Sequence, residues 1–236
     1  MRSYQRHNAD LRPITFEPHF TQHAEGSCLI KMGATWVLTT ATIEEKVPRW
    51  LEKKDEGWLT AEYAMLPRAT HERVVRESMK GRPGGRTLEI QRLIGRSLRA
   101  CLDFKKLGPR TIIIDCDVLQ ADGGTRTASI NGGFVALSIA INKLLQKGTL
   151  KENPLFDTVS AISLGMKNGE ILTDLDYQED SSCDVDVNVV MLGQEQLIEI
   201  QGTGEKATFS VAQTSDMLGH ATVAIAKIRQ QQLAAL

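Results

Sequence analysis

Apolar positions along the 236-residue chain recur with two different periods, and the changes of period mark the elements. Residues 28–43 are apolar and β-branched on either side of Met32-Gly33-Ala34-Thr35, which predicts a hairpin. Residues 46–57 are charged and turn-like, 58–66 predict a further strand, and 67–86 are polar, basic and glycine-rich, the composition of a long loop. Over 87–102 the apolar residues Ile90, Leu93, Ile94, Leu98 and Cys101 fall at helical spacing, with Arg92, Arg96 and Arg99 on a different face. Residues 111–119 (TIIIDCDVL) predict a strand, and a glycine turn then leads into an Ala-, Val-, Ile- and Leu-rich helix to about Leu145. That helix is apolar nearly all round, a pattern that requires burial. After a linker at 148–154, residues 159–164 and 170–175 predict two strands joined through Asn168-Gly169, a hairpin dipeptide. Residues 184–190 alternate strictly, with Asp184, Asp186 and Asn188 on one face and valines on the other; 196–201 add one more strand, and the chain turns helical from about Ser210. Strands followed by a helix, twice over, predict an α+β fold of two similar halves, about 1–150 and 151–236, within one compact domain.

With 42% hydrophobic and 24% charged residues and a formal charge of -1, the composition is that of an ordinary globular protein and excludes disorder as the main theme. The average charge hides a separation. Residues 68–110 hold twelve Lys or Arg against four acids, while 152–205 hold twelve acids against one Lys. The first field attracts phosphates, and the second holds divalent cations or repels a polyanion unless it is neutralised. Cys28, Cys101, Cys116 and Cys183 form no Cys-x-x-Cys pair, so neither a disulfide framework nor a zinc site is expected. Reduced cysteines, a polar start and no apolar run long enough to span a bilayer place the expected protein in the cytoplasm, away from membranes.

Three constellations carry candidate chemistry. Gly123-Gly124-Thr125-Arg126-Thr127 lies between a strand and a helix, where unpaired N–H groups and the helix dipole favour an anion and glycine permits its close approach. The spacing is neither a Walker loop nor a dinucleotide fingerprint, and a plain capped helix start remains the alternative. Gly84-Gly85-Arg86-Thr87 precedes the arginine-bearing helix and is either a second arm of one anion site or a surface arginine. Residues 174–186 carry six acids within thirteen positions, either solvated or held by a cation. Of these, Asp184 and Asp186 share a strand face and Asp180 precedes them by a short turn, a donor set suited to Mg²⁺ or Mn²⁺. The five histidines stand in no triad or HExxH context, and there is no GxSxG elbow. An anion cradle beside metal-binding carboxylates describes phosphoryl transfer, and a bound inorganic phosphate can itself be the nucleophile.

The chain resembles the bacterial ribonuclease PH family. The resemblance is carried by HAEGS at 23–27, GWLTAEYAMLPRATHER at 57–73, GGRTLEIQRLIGRSLRA at 84–100, DCDVLQADGGTRTASINGG at 115–133, DLDYQEDSSCDVDVNVVM at 174–191 and EIQGTGE at 199–205. It covers essentially the whole chain, with LRP at 11–13 already similar and the last thirty residues the weakest part. KGRPGG at 80–85 and TGEKATF at 203–209 depart from the usual pattern without removing a site residue. The resemblance implies two similar halves with left-handed βαβ units and a homo-oligomer, a ring-shaped hexamer built as a trimer of dimers. It implies a phosphate-dependent 3′-to-5′ exoribonuclease that trims tRNA precursors, releases nucleoside diphosphates and runs in reverse as a nucleotidyltransferase. Carried over by position, Arg86, Gly124, Thr125 and Arg126 bind phosphate, Asp180 and Asp186 are catalytic and hold the metal, and Asp184 is an auxiliary ligand. Arg68, Arg73 and Arg76, with Arg92, Arg96 and Arg99 on the following helix, are expected to contact RNA or a neighbouring subunit. A noncatalytic RNA-binding ring subunit and a metal-dependent hydrolytic nuclease are the competing expectations.

Overall fold

A helix that is apolar on every side needs cover on every side, and the computed structural model, which describes residues 2–236, shows how it is supplied. The chain begins with strands β1 (Ile14–Pro18), β2 (Gly26–Met32), β3 (Thr35–Glu44) and β4 (Trp58–Met65), followed by helix α1 (Gly85–Arg99) and the short α2 (Phe104–Leu107). Strand β5 (Thr111–Gln120) then leads into α3 (Thr125–Gln146). The remainder runs β6 (Val159–Lys167), β7 (Glu170–Thr173), α4 (Tyr177–Ser182), β8 (Val185–Leu192), β9 (Gln196–Gly204) and α5 (Val211–Ala234). The strands form two sheets, ordered β1-β2-β3-β5-β4 and β7-β6-β8-β9. Helix α3 lies between them, touching β2, β3 and β5 on one side and β6 on the other.

This sandwich explains why α3 is apolar without a polar face. It is the described helix long and apolar enough to cross a membrane, and 83% of its apolar window is buried between the sheets. The approach is close enough that a Cβ on Gly26 of β2 would stand 1.9 Å from the Ala136 carbonyl oxygen, so only glycine fits there. Helix α1 packs on β4 and on α3, burying Ile90, Leu93, Ile94 and Leu98, while α5 covers the second sheet through β6. Most first-sheet neighbours are antiparallel, but β4 and β5 are parallel, and the α1 crossover between them supplies the length that a parallel connection requires.

The 28–43 hairpin, the buried helix and the alternating strand at 185–192 form as their patterns predict. Asn168 and Gly169 both adopt positive φ (51° and 78°), the conformation of a two-residue hairpin turn. The strand expected over 170–175 ends at Thr173 because Asp174 turns left-handed (φ 60°) and sends its carboxylate inward. There it meets Arg12. Both side chains are fully buried, with Arg12 Nη2 donating to Asp174 Oδ1 at 2.7 Å and Nε to Oδ2 at 3.1 Å, and the Arg12 backbone N–H also reaching Oδ2 at 2.7 Å. Burial pulls the Arg12 guanidinium down, but Asp174, with Asp122 and Asp176, more than offsets it and holds the group above its usual range. Around this pair Arg6 donates to the Asp174 carbonyl at 2.7 Å and lies 3.3 Å from Glu179, while Arg2 pairs with Glu179 at 2.6 Å. Arg2, Arg6 and Arg12 are therefore a clamp on the acidic 174–179 segment.

Removing either member of the central pair leaves a buried charge unpaired, which costs about 3 to 5 kcal/mol. Arg12→Met and Asp174→Ala are each expected to lower unfolding free energy by that amount in urea titrations. The double variant should lose well below the sum, a coupling measured by the mutant cycle.

Candidate active site

Where the two sheets meet α3, a cleft of about 720 Å³ opens, lined by residues from both halves of the chain. Its first wall is the glycine turn. Gly123 and Gly124 both take positive φ (72° and 64°), and Gly124 caps α3 without any side-chain hydrogen bond to the first-turn amides. Those amides keep the positive end of a 22-residue helix directed at whatever enters. The turn is held from behind: Thr35 Oγ1 donates to the Gly123 carbonyl at 2.6 Å, Tyr63 Oη donates to Thr125 Oγ1 at 3.0 Å, and Arg12 Nη1 donates to the Asp122 carbonyl. A Cβ on Gly123 would lie 2.7 Å from backbone atoms of Leu175 and Asp176, so the glycine turn and the acidic segment pack backbone against backbone.

The second wall is acidic. Asp180 comes from α4, whose start is fixed by a capping box between Asp176 and Glu179, and Asp186 comes from the face of β8 that also presents Asn188 to the cleft. Burial pushes the Asp180 carboxyl up, with Glu205 adding to the shift and Arg86 and Arg126 pulling against it. Burial likewise pushes Asp186 up, reinforced by Asp180 and Glu205. Asp186 Oδ1 is buried without a hydrogen-bond partner, and so is Arg126 Nε on the opposite wall. An orphaned acceptor among mutually repelling carboxylates and an orphaned donor at a helix N-terminus are costly unless a cation and an anion satisfy them. Among the described residues no three metal-binding side chains cage an ion by themselves. A pair of carboxylates is nevertheless the donor set that fits Mg²⁺, which completes its shell with waters and substrate phosphate.

Arg86, Gly124, Thr125, Arg126, Asp180 and Asp186 all line this one cleft. Asp184 does not. It lies one residue before β8, its carboxylate accepts the Asn168 N–H at 3.0 Å and its carbonyl accepts the Glu205 and Lys206 amides at 3.0 and 3.1 Å. The alternation read along 184–190 begins one residue too early, because Asp184 closes the β6–β7 turn.

Arg68, Arg73 and Arg76 are exposed on the segment between β4 and α1, whose His71, Glu72 and Val74 form part of the cleft wall. Arg92 is exposed on α1. Arg96 and Arg99, by contrast, are engaged within the chain. Arg96 forms a bidentate pair with Glu199 of β9, both distances 2.6 Å, and Arg99 stacks over Trp58 at 4.8 Å and donates to the Leu59 carbonyl. Arg96 nevertheless stays exposed beside its partner, whereas Arg99 is half-buried against β4.

Several cleft residues lie outside the expected set: Ser163, Tyr177, Asn188 and Glu205 at the surface of the cleft, and Arg12 and Glu89 behind it. Glu205 closes the EIQGTGE motif and Arg12 is the middle residue of LRP, so each carried a signal; Ser163 sits in an ordinary strand and carried none.

The model of the 3′ exoribonuclease family, domain 1, matches residues 10–141, and that of its domain 2 matches residues 157–225. Ribonuclease PH of Bacillus subtilis is 55% identical over 233 residues, covering 98% of this chain and 95% of the relative. Ribonuclease PH of Neisseria meningitidis serogroup B is also 55% identical, over 96% of this chain and 93% of its own length. Among solved structures, the Archaeoglobus fulgidus exosome with RNA bound to the active site includes a chain of the same fold, with a TM-score of 0.79 at 20% identity over 96% of this chain and 90% of that one. Matched in both domain models and in sequence along nearly its full length, the chain belongs to the 3′ exoribonuclease family, with ribonuclease PH as its kin.

Proposed function

We propose that the protein is a phosphate-dependent 3′-to-5′ exoribonuclease that trims the 3′ ends of tRNA precursors and acts in reverse as a tRNA nucleotidyltransferase. The observation that carries this reading is the pairing of opposite fields across one cleft: Arg86 and Arg126 with the α3 amides on one side, Asp180 and Asp186 on the other. Inorganic phosphate, as co-substrate, suits the first wall, where Arg126 Nε is an unpaired donor. The Gly124 turn lets a phosphate oxygen reach the Thr125 and Arg126 amides, and Arg86 adds a charged fork. So held, phosphate is oriented for in-line attack. One of its oxygens bonds to the phosphorus of the last phosphodiester, and the bond to the 3′ oxygen of the preceding nucleotide breaks. The terminal nucleotide leaves as a nucleoside diphosphate, and the proton of hydrogenphosphate is in effect passed to the freed 3′ oxygen.

Asp180 and Asp186 would hold the divalent metal, Mg²⁺ or Mn²⁺, which when bound supplies charge neutralisation at the phosphodiester. Apart from that, the chain contributes position and electrostatics: Asn188 and Ser163 present neutral polar groups between the walls, and Tyr177 stands half-exposed at the rim. Arg68, Arg73, Arg76 and Arg92 are available for RNA phosphates or for a neighbouring copy. The same reading carries a homo-oligomer, a hexamer built as a trimer of dimers, working in the cytoplasm.

With a labelled tRNA bearing a short 3′ extension, trimming is expected to need both phosphate and a divalent metal and to release diphosphates on chromatography. Monophosphate release in phosphate-free buffer would instead identify a hydrolytic nuclease, and tight RNA binding without turnover a noncatalytic subunit.

Arg126→Ala should raise the phosphate KM about tenfold or more, the scale of a lost charge-assisted contact. Asp186→Ala should cut kcat about a hundredfold, the scale of a lost electrostatic contribution to the transition state. RNA affinity measured by filter binding should survive the second change and weaken with added salt.

A further inference from the structure

Building on the phosphorolytic reading, we infer that Glu89 is a positioning residue for phosphate binding, and that β9 acts on the phosphate site through it. Arg126 Nη2 donates to Glu89 Oε2 at 2.8 Å, while Nε of the same guanidinium is buried and unpartnered. Nε and Nη2 share one edge of the guanidinium, so Glu89 holds that edge and the Nη1 end is left for an anion. Glu89 lies three residues after Arg86 on α1, a spacing that puts both on one helix face. It therefore sets a negative charge against Arg126 and on the same face of α1 as Arg86.

The tie is itself braced. The other Glu89 oxygen accepts from Gln201 Nε2 at 3.3 Å, and that amide also donates to Glu199 Oε1 at 3.1 Å. Glu199 is fixed by the Arg96 fork, both distances 2.6 Å. The chain of groups runs Arg126, Glu89, Gln201, Glu199, Arg96, so that two carboxylates are bridged by one amide and closed at each end by a guanidinium. It joins α3, α1 and β9, and it gives Arg96 a role inside the protein. A carboxylate near a bound phosphate also repels it. Glu89 keeps 40% of its side chain exposed, so water and salt screen that repulsion, whereas the ordering of the Arg126 fork is a contact effect that screening leaves in place. Ordering therefore governs the sign.

Calorimetric titration of the full-length chain with inorganic phosphate, alongside kinetics on a 3′-extended tRNA with each substrate varied in turn, tests this. Glu89→Ala is expected to raise the phosphate Kd and KM by about three- to tenfold, while kcat at saturating phosphate and the RNA KM change less than about twofold. Glu89→Gln, which keeps one oxygen for Arg126, should fall between wild type and Glu89→Ala, and Gln201→Ala should give a smaller rise in the same direction. An unchanged or tighter phosphate Kd in Glu89→Ala overturns the inference, as does a loss shared equally by both substrates, the mark of a merely structural role. Should Glu89→Ala fail to fold, Gln201→Ala decides by the same criteria. A wild-type chain that binds no phosphate refutes the phosphorolytic reading itself, whereas wild-type binding with unaffected variants refutes only the part given to Glu89.

Discussion

The buried pair between Arg12 and Asp174 is the constraint on which the cleft depends. Its guanidinium joins three stretches far apart in sequence: the N-terminal segment that carries it, the Asp174 carboxylate after β7, and the Asp122 carbonyl at the glycine turn. Gly124 lies so close that a Cβ there would stand 3.0 Å from Arg12 Nη2. Desolvating two charges is expensive, and a bidentate geometry with a further backbone donor on the carboxylate is what offsets that cost. A hydrophobic pair of similar volume could fill the space but could not fix the register between a glycine turn and an acidic loop. Here the charge pair sets position, and the two walls of the cleft follow from it.

Bringing those walls together creates a problem of its own, since carboxylates and guanidiniums in one cleft would neutralise each other directly. The fold prevents this by giving each group a partner behind the cleft. Glu89 draws one edge of Arg126 back, the Asp176–Glu179 box fixes the start of α4, from which Asp180 lines the cleft, and Arg2 and Arg6 occupy Glu179. What is left facing the cleft is unsatisfied in complementary ways: a donor on the basic side and an acceptor on the acidic side. Such a site is organised before substrate arrives, which is how electrostatic stabilisation is had without reorganisation during reaction.

Much of this was legible in the residue pattern. The 3.6-residue spacing of Ile90, Leu93, Ile94 and Leu98, the all-apolar run after the glycine turn and the valine alternation at 185–189 each report burial by one face or by all, and burial is what periodicity measures. Gly123, Gly124 and Arg126 stood out because glycines just before a helix suit either a tight cap or an anion, and the positive φ of both glycines is what the structure adds. Asp184 misled because alternation carries no mark of where a strand starts, and a hydrogen bond from Asn168 decides that instead. The intrachain partners of Arg96 and Arg99 were not legible because a polar helix face looks the same in sequence whether it meets water, RNA or a neighbouring strand.

The sequence by itself determined the elements, the opposite charges of 68–110 and 152–205, and the motif residues that line the cleft. It did so because propensity, periodicity and local turns act over a few neighbours along the chain. Only the tertiary structure decided that these fields face each other across one cleft, that the N-terminal arginines neutralise half the acidic cluster, and that Glu89 ties Arg126 back to β9. Those are contacts across 37 to 177 positions of sequence, and their energy depends on distance, burial and orientation, none of which a linear pattern contains.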